Sequence, residues 1–126
     1  MKIAYVDTSC LVAISFGEAR GSALMRRLKN FDELVSANLL EAELRATFVR
    51  ERVPPNSALP IPISWIIPDR PLSEEITRVL DAGYVRGADC WHLATALYLA
   101  PQPDTMSFVT ADERQHTVAQ ALGFQL

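Results

Sequence analysis

The sequence lacks the features that cross-link small secreted domains or anchor proteins in membranes. It has only two cysteines, Cys10 and Cys90, with no CxxC pair and no Cys/His spacing that suggests zinc. We expect both thiols to be buried and to form no disulfide. No apolar run approaches the ~20 residues of a membrane span, and no basic segment with a cleavage site opens the chain. We therefore expect a cytoplasmic protein that does not bind membranes.

Positive charge is scarce as well. The chain has 12 Lys and Arg residues against 15 Asp and Glu residues, a formal net charge of -3. This balance argues weakly against non-specific nucleic-acid binding, because strong binders carry a basic surplus. The first half nevertheless holds a basic cluster of Arg20, Arg26, Arg27, Lys29, Arg45, Arg50 and Arg52. Such a cluster is more often a solvated helix face than a contact for a polyanion, and both interpretations stay open.

No repeat, low-complexity tract or linker divides the chain. Its 126 residues, 49% of them hydrophobic, suffice to bury a core, so we expect a single domain over residues 1–126. Prolines concentrate in residues 53–71, which predicts a loop around one short strand at 64–67.

Short apolar segments alternate with helical patterns along the rest of the chain. The other predicted strands are 3–6, 34–35, 107–110 and 124–126. The predicted helices are 11–29 with breaks at Gly17 and Gly21, the segment from an Asn38/Glu41 capping box to about Arg52, 73–83 with Ser73 as its cap, 88–100 and 112–122. Alternation of this kind predicts the α/β class, with a parallel sheet of four to five strands covered by helices on both faces.

Two acidic residues follow predicted strands. Asp7 comes directly after residues 3–6, and Asp112 lies two residues after 107–110. Ligands of parallel sheets bind beyond the carboxyl ends of the strands, so both carboxylates are candidate ligand-binding groups.

Helical geometry selects a third acid. Glu41 and Glu43 are two positions apart, about 200° around a helix, so they face different directions. Glu43 shares a stripe with Leu39 and Ala46 and is predicted to face the sheet, whereas Glu41 stands four residues before Arg45 and is predicted to be an exposed ion pair.

Asp89 is the fourth candidate, since it opens a helix that is otherwise apolar. Each acid alone has a structural explanation: Asp89 and Asp112 as helix caps, Asp7 as a turn carboxylate. Four carboxylates in one cleft would repel one another unless a divalent cation neutralised them. Oxygen ligands favour Mg²⁺ or Mn²⁺, so the set predicts a metal site.

Four segments together resemble the PIN-domain ribonucleases, and most closely the VapC-type toxins of toxin–antitoxin pairs. They are VDTS at 6–9, SANLLEAELRA at 36–46, RGADCWHLATAL at 86–97 and VTADERQHTVAQALGF at 109–124. The resemblance implies a three-layer α/β/α domain and a Mg²⁺- or Mn²⁺-dependent endoribonuclease that hydrolyses RNA phosphodiester bonds. It also implies a homodimer that is silenced by a small cognate antitoxin.

The resemblance carries catalytic and metal-binding roles over onto Asp7, Glu43, Asp89 and Asp112. Asp7, Asp89 and Asp112 would be direct or water-mediated ligands, and Glu43 a ligand or a base that positions water. Thr8, Ser9 and Thr110 would support the carboxylates or a phosphate from a second layer. We expect Asp7→Asn to abolish cleavage. We also expect it to leave the stability of the metal-free protein equal or higher, because it relieves like-charge repulsion.

Other interpretations remain open for the whole chain and for single residues. One is a PIN-like binding module without significant nuclease activity. Another is a phosphatase with Asp7 as nucleophile, although the D-x-D pattern of that chemistry is missing. We interpret His92 as a hydrogen-bonded core residue rather than a ligand or base, and Trp65 and Trp91 as packing residues.

Overall fold

The structure is a computed structural model that describes residues 1–54, 59 and 61–126. In that part of the chain the strands are β1 (Ile3–Val6), β2 (Glu33–Ala37), β3 (Ser64–Ile66) and β4 (Ser107–Val109). The helices are α1 (Thr8–Ser15), α2 (Gly21–Leu28), α3 (Leu39–Arg50), α4 (Ser73–Ala82), α5 (Gly87–Leu99) and α6 (Glu113–Leu122).

β1 lies inside an all-parallel sheet of order β3-β2-β1-β4. Tyr5 of β1 is in register with Val35 on one side and Phe108 on the other. The chain builds the sheet outward from β1 in one direction through β2 and β3, and then returns to the other side of β1 with β4. The crevice between β1 and β4 is therefore the topological switch point, where parallel sheets bind ligands.

Helices cover both faces of the sheet. Ala4 and Val6 pack into a core shared with α1, α2 and α3, while Tyr5 points the opposite way into a core shared with α4, α5 and α6. Burial on both faces explains the unbroken apolar run of β1, in which Ala4, Tyr5 and Val6 are fully buried. The predicted three-layer α/β/α class is thus confirmed. No helix of the described residues is long and apolar enough to cross a bilayer.

The first helical region differs from the prediction at its start and agrees with it at the break. α1 begins at Thr8 rather than Leu11, because the Asp7 side chain accepts a hydrogen bond from Ser9 N and caps the helix. Gly17, with φ +65°, follows the end of this helix, and Gly21 begins α2. The region therefore forms two helices, as predicted.

Three further details of the prediction were wrong. Asn38 has helical φ and ψ and makes no capping bond; its Nδ2 donates to Glu41 Oε1 at 3.1 Å. Leu72, not Ser73, occupies the N-cap of α4. Residues 124–126 form only an isolated bridge, between Gln125 and Ser107, rather than a fifth strand. Part of the predicted loop, residues 55–58 and 60, lies outside the described residues.

The two cysteines are buried and free. Cys10 Sγ donates to Val109 O at 3.3 Å, and burial raises the pKa of the Cys10 thiol to about 12. The thiol is therefore protonated at neutral pH and serves as a small apolar side chain.

Gly21 should tolerate no side chain, because a Cβ there would lie 2.6 Å from Ala13 O in α1. We expect Gly21→Ala to lower the free energy of unfolding by about 1–3 kcal/mol, measured by urea denaturation. Gly87→Ala is the matched control, since nothing lies within 4 Å of its Cβ position. Equal stability of the two variants would contradict the close packing of α1 against α2.

Candidate active site

Asp7 ends the central strand with a carboxylate that is almost completely buried, its residue being 3% exposed. Three donors surround Oδ2: Ser9 N at 3.2 Å, Ser9 Oγ at 2.6 Å and Thr110 Oγ1 at 3.1 Å. Burying a carboxylate is costly unless hydrogen bonds compensate the charge. Ser9 and Thr110 supply that compensation from the first turn of α1 and from the residue after β4.

Gln115 of α6 adds a donor that the sequence did not point out. With its amide nitrogen turned toward the carboxylate, Gln115 Nε2 lies 2.8 Å from Asp7 Oδ2, 3.2 Å from Asp7 Oδ1 and 3.1 Å from Thr110 Oγ1. We assign this orientation because the opposite one would place the amide oxygen against the carboxylate. A signal was present: fully buried Gln115 shares the inward stripe of α6 with Val118, Ala119 and Leu122, so it is a polar side chain at a core position.

Glu43 projects from α3 toward the same edge of the sheet. Its Oε1 accepts from Thr8 Oγ1 at 2.7 Å and lies 2.7 Å from His92 Nε2. Burial pushes the pKa of Glu43 upward, but the hydrogen bonds from His92 and Thr8 outweigh it and hold the pKa below its usual value. Glu43 therefore stays ionised at neutral pH. Glu41 forms the exposed pair with Arg45, at 3.3 Å, that the helical geometry predicted.

His92 connects Glu43 to the centre of the sheet. Its Nδ1 lies 2.7 Å from Tyr5 Oη, which accepts from Ala37 N at 3.0 Å. Burial raises the pKa of Tyr5, so the phenol keeps its proton, and His92 Nδ1 is its acceptor in this network. With Nδ1 as the acceptor, the ring N–H lies on Nε2 and is directed at Glu43. The interpretation of His92 as a hydrogen-bonded core residue is confirmed, and its link to Glu43 is new.

Asp89 and Asp112 complete the acidic set. Asp112 Oδ1 accepts from Gln115 N at 2.9 Å and caps α6, as its structural interpretation proposed. Asp89 stands in the first turn of α5, with Arg86 Nε 3.9 Å from its Oδ2. Burial raises the pKa of Asp89, and the negative charges of Asp7 and Asp112 raise it further. Asp7 and Asp112 are therefore close enough to Asp89 for their charges to act on its carboxyl.

His92 also lies between Asp7 and Glu43, because its Nε2 is 3.8 Å from Asp7 Oδ1 and 2.7 Å from Glu43 Oε1. The structure thus gathers all four predicted acids around the carboxyl ends of β1 and β4. Whether they act in catalysis stays a prediction. Ser9 and Thr110 contact Asp7, whereas Thr8 contacts Glu43.

The acidic set fits a hard divalent cation in donor type and in charge. Its donors are carboxylate oxygens, and burial together with the charges of Asp7 and Asp112 raises the pKa of Asp89. Within the described residues, no three His, Cys, Asp or Glu side chains are arranged as a metal site. Because Mg²⁺ usually keeps several waters and takes only one or two carboxylates, incomplete protein ligation does not conflict with it.

The hydrogen bonds change one expectation about stability. Like-charge repulsion suggested that Asp7→Asn would leave the metal-free protein equally stable or more stable. Several donors point at Asp7, however, and an asparagine would turn an amide N–H toward some of them. We therefore expect Asp7→Asn to lower the stability of the metal-free protein. We expect relief of like-charge repulsion from Asp89→Asn instead.

The comparisons with known proteins place the chain in a family. A scan of family models matched the family described as PIN domain over residues 4–121. Searches of curated proteins and of solved structures matched nothing. The matched segment includes all four acids and every residue of the hydrogen-bond network around them.

Tyr5→Phe tests the buried network. The change leaves the Ala37 N–H and His92 Nδ1 without their partner at a fully buried position, so we expect a loss of about 1–3 kcal/mol in the free energy of unfolding. Tyr84→Phe is the control, because Tyr84 is 67% exposed and water can replace its hydrogen bonds. A Tyr5→Phe variant as stable as this control would refute the network.

Asp89→Asn tests the repulsion among the aspartates. Because the folded-state pKa of Asp89 is raised, its ionisation destabilises the fold, and removing the charge should raise the melting temperature in EDTA at neutral pH. The gain in melting temperature should be largest above the folded-state pKa of Asp89, and it should decline as the pH falls through that pKa. Asp81→Asn, at an exposed position of α4, should show no such gain; a lower melting temperature for Asp89→Asn would contradict the repulsion.

Proposed function

The chain belongs to the PIN-domain family, a family that is generally one of nucleases, and on this premise we propose that it is a metal-dependent endoribonuclease acting as the toxin of a toxin–antitoxin pair. The observation that carries the proposal is the convergence of Asp7, Asp89 and Asp112 at the switch point of the sheet, where their charges raise the pKa of Asp89. RNA as the substrate, the toxin role, a homodimer and a small antitoxin rest on the resemblance of the four segments to VapC-type toxins.

In this proposal Asp7, Asp89 and Asp112 hold Mg²⁺ or Mn²⁺, directly or through water. When bound, the ion supplies a nucleophilic water near neutral pH and stabilises charge on the leaving oxygen. Ser9, Thr110 and Gln115 fix the Asp7 carboxylate at the end of β1.

We assign Glu43 as the group that accepts the proton of the attacking water. The bonds from Thr8 and His92 both fall on Oε1, so the assigned acceptor atom is Oε2. Because its pKa is lowered, Glu43 is ionised at neutral pH, and its Oε2 can accept a hydrogen bond from the water. His92 and Thr8 hold the carboxylate in place during the transfer.

One observation favours the alternative, a PIN-like binding module without significant nuclease activity. No preassembled metal site of three or more ligands exists among the described residues. In a binding module the acidic set would retain its hydrogen bonds but would not hydrolyse RNA.

Cleavage of end-labelled total RNA tests the proposal. We expect discrete fragments with Mg²⁺ or Mn²⁺, none with EDTA, none with Asp7→Asn, and a rate lower by about 10²–10⁴-fold with Glu43→Gln. The matched control is Glu41→Gln, an acid on the same helix whose partner is Arg45 at the surface; it should cleave at the wild-type rate.

Two outcomes would contradict the proposal in different ways. Full activity of Asp7→Asn would refute the assignment of the acids. No cleavage by the wild-type protein, combined with no Mn²⁺ binding in a calorimetric titration, would favour the binding module. The toxin role has its own test: expression should stop growth, and co-expression of the neighbouring gene should restore it.

A further inference from the structure

A groove of about 820 Å³ opens beside the acidic set. Its lining includes Ser9, which binds Asp7, and Asp112, so it reaches the proposed site of cleavage. The volume is within the ~300–1,000 Å³ range of ligand sites. Ala82 and Gly83 form part of the wall.

Two arginines, Arg20 and Arg114, line this groove together with the acidic Asp112 and Glu113. Arg20 lies in the α1–α2 connection, where its Nη1 donates to Ala111 O at 2.7 Å and its Nε is 3.6 Å from Glu18. Arg114 lies on α6. Because α2 and α6 cover opposite faces of the sheet, cations from both helical layers border the groove that contains Asp112.

Tyr84 supplies an aromatic ring to the same groove. Its residue is 67% exposed, which is uncommon for a large ring that could pack. The Arg114 guanidinium carbon lies 5.8 Å from the ring centroid, so a cation–π contact steadies the ring without burying it. An exposed ring beside cations is the combination with which proteins bind single-stranded nucleic acids.

We propose that this groove binds single-stranded RNA next to the acidic set, with Tyr84 stacking on one base and Arg20 and Arg114 contacting phosphates. The proposal rests on the proposed function for the identity of the polymer. A single strand fits better than a duplex, because the bases of a duplex are stacked on one another and cannot cover the Tyr84 ring. Stacking and phosphate contacts carry little base identity, so the subsite should tolerate many sequences.

Binding measured without cleavage tests the proposal. We would titrate a short, fluorescein-labelled, single-stranded RNA of mixed sequence with the protein in EDTA and follow anisotropy. Tyr84→Ala should weaken binding about tenfold, and Tyr84→Phe should restore it because the ring remains. An abasic strand of the same length should bind wild type and Tyr84→Ala with equal affinity.

The arginines should show their effect in the salt dependence of the same titration. Arg20→Gln and Arg114→Gln should each reduce the slope of log affinity against log salt by about 0.7, the value for one phosphate contact on a single strand. The matched control is the pair of Tyr98 and Arg70, which has the same cation–π contact at 5.2 Å but does not line the groove. Tyr98→Ala and Arg70→Gln should leave affinity and slope unchanged.

The inference and the proposed function can fail separately. Groove-dependent binding without hydrolysis under any metal would refute the nuclease and leave the inference standing. Hydrolysis by the wild type, with equal affinity in all groove variants, would overturn the inference alone. Equal binding of a duplex, or of an acidic peptide in place of RNA, would also overturn it.

Discussion

The buried carboxylate of Asp7 is the constraint on which the rest of the site depends. A charge at the end of a fully buried strand needs donors, and the donors come from three places: the first turn of α1, the residue after β4, and the interior of α6. Ser9 reaches Asp7 locally, whereas Thr110 and Gln115 reach it because β4 pairs with β1. The strand order and the site are therefore parts of one arrangement.

A second network ties Glu43 to the core of the opposite face. Tyr5, at the centre of β1, joins the end of β2 through Ala37 N and joins α5 through His92, which then reaches Glu43. The environments of the two acids differ. Hydrogen bonds from His92 and Thr8 lower the pKa of Glu43, whereas burial and the charges of Asp7 and Asp112 raise the pKa of Asp89.

The sequence predicted the features that follow from periodicity and strand order, and it failed where tertiary contacts decided. Glu43 was separated from Glu41 by helical rotation alone, and the position of Asp7 and Asp112 followed from the parallel sheet. Gln115 lies on the inward stripe of α6, but its contact with Asp7 depends on tertiary packing that the sequence does not show. The Asn38 cap was wrong because its side chain bonds to Glu41 Oε1 instead of a backbone N–H. Residues 124–126 form only one bridge, between Gln125 and Ser107.

The distance along the chain between Asp7 and Thr110, 103 positions, has a consequence for synthesis. A ribosome releases β1 early, yet the groups that complete the acidic set lie in α5, after β4 and in α6. Contacts this distant in sequence form only after most of the chain is available. A growing chain therefore carries its first acid without the others, and the acidic set is complete only after α6 has been synthesised.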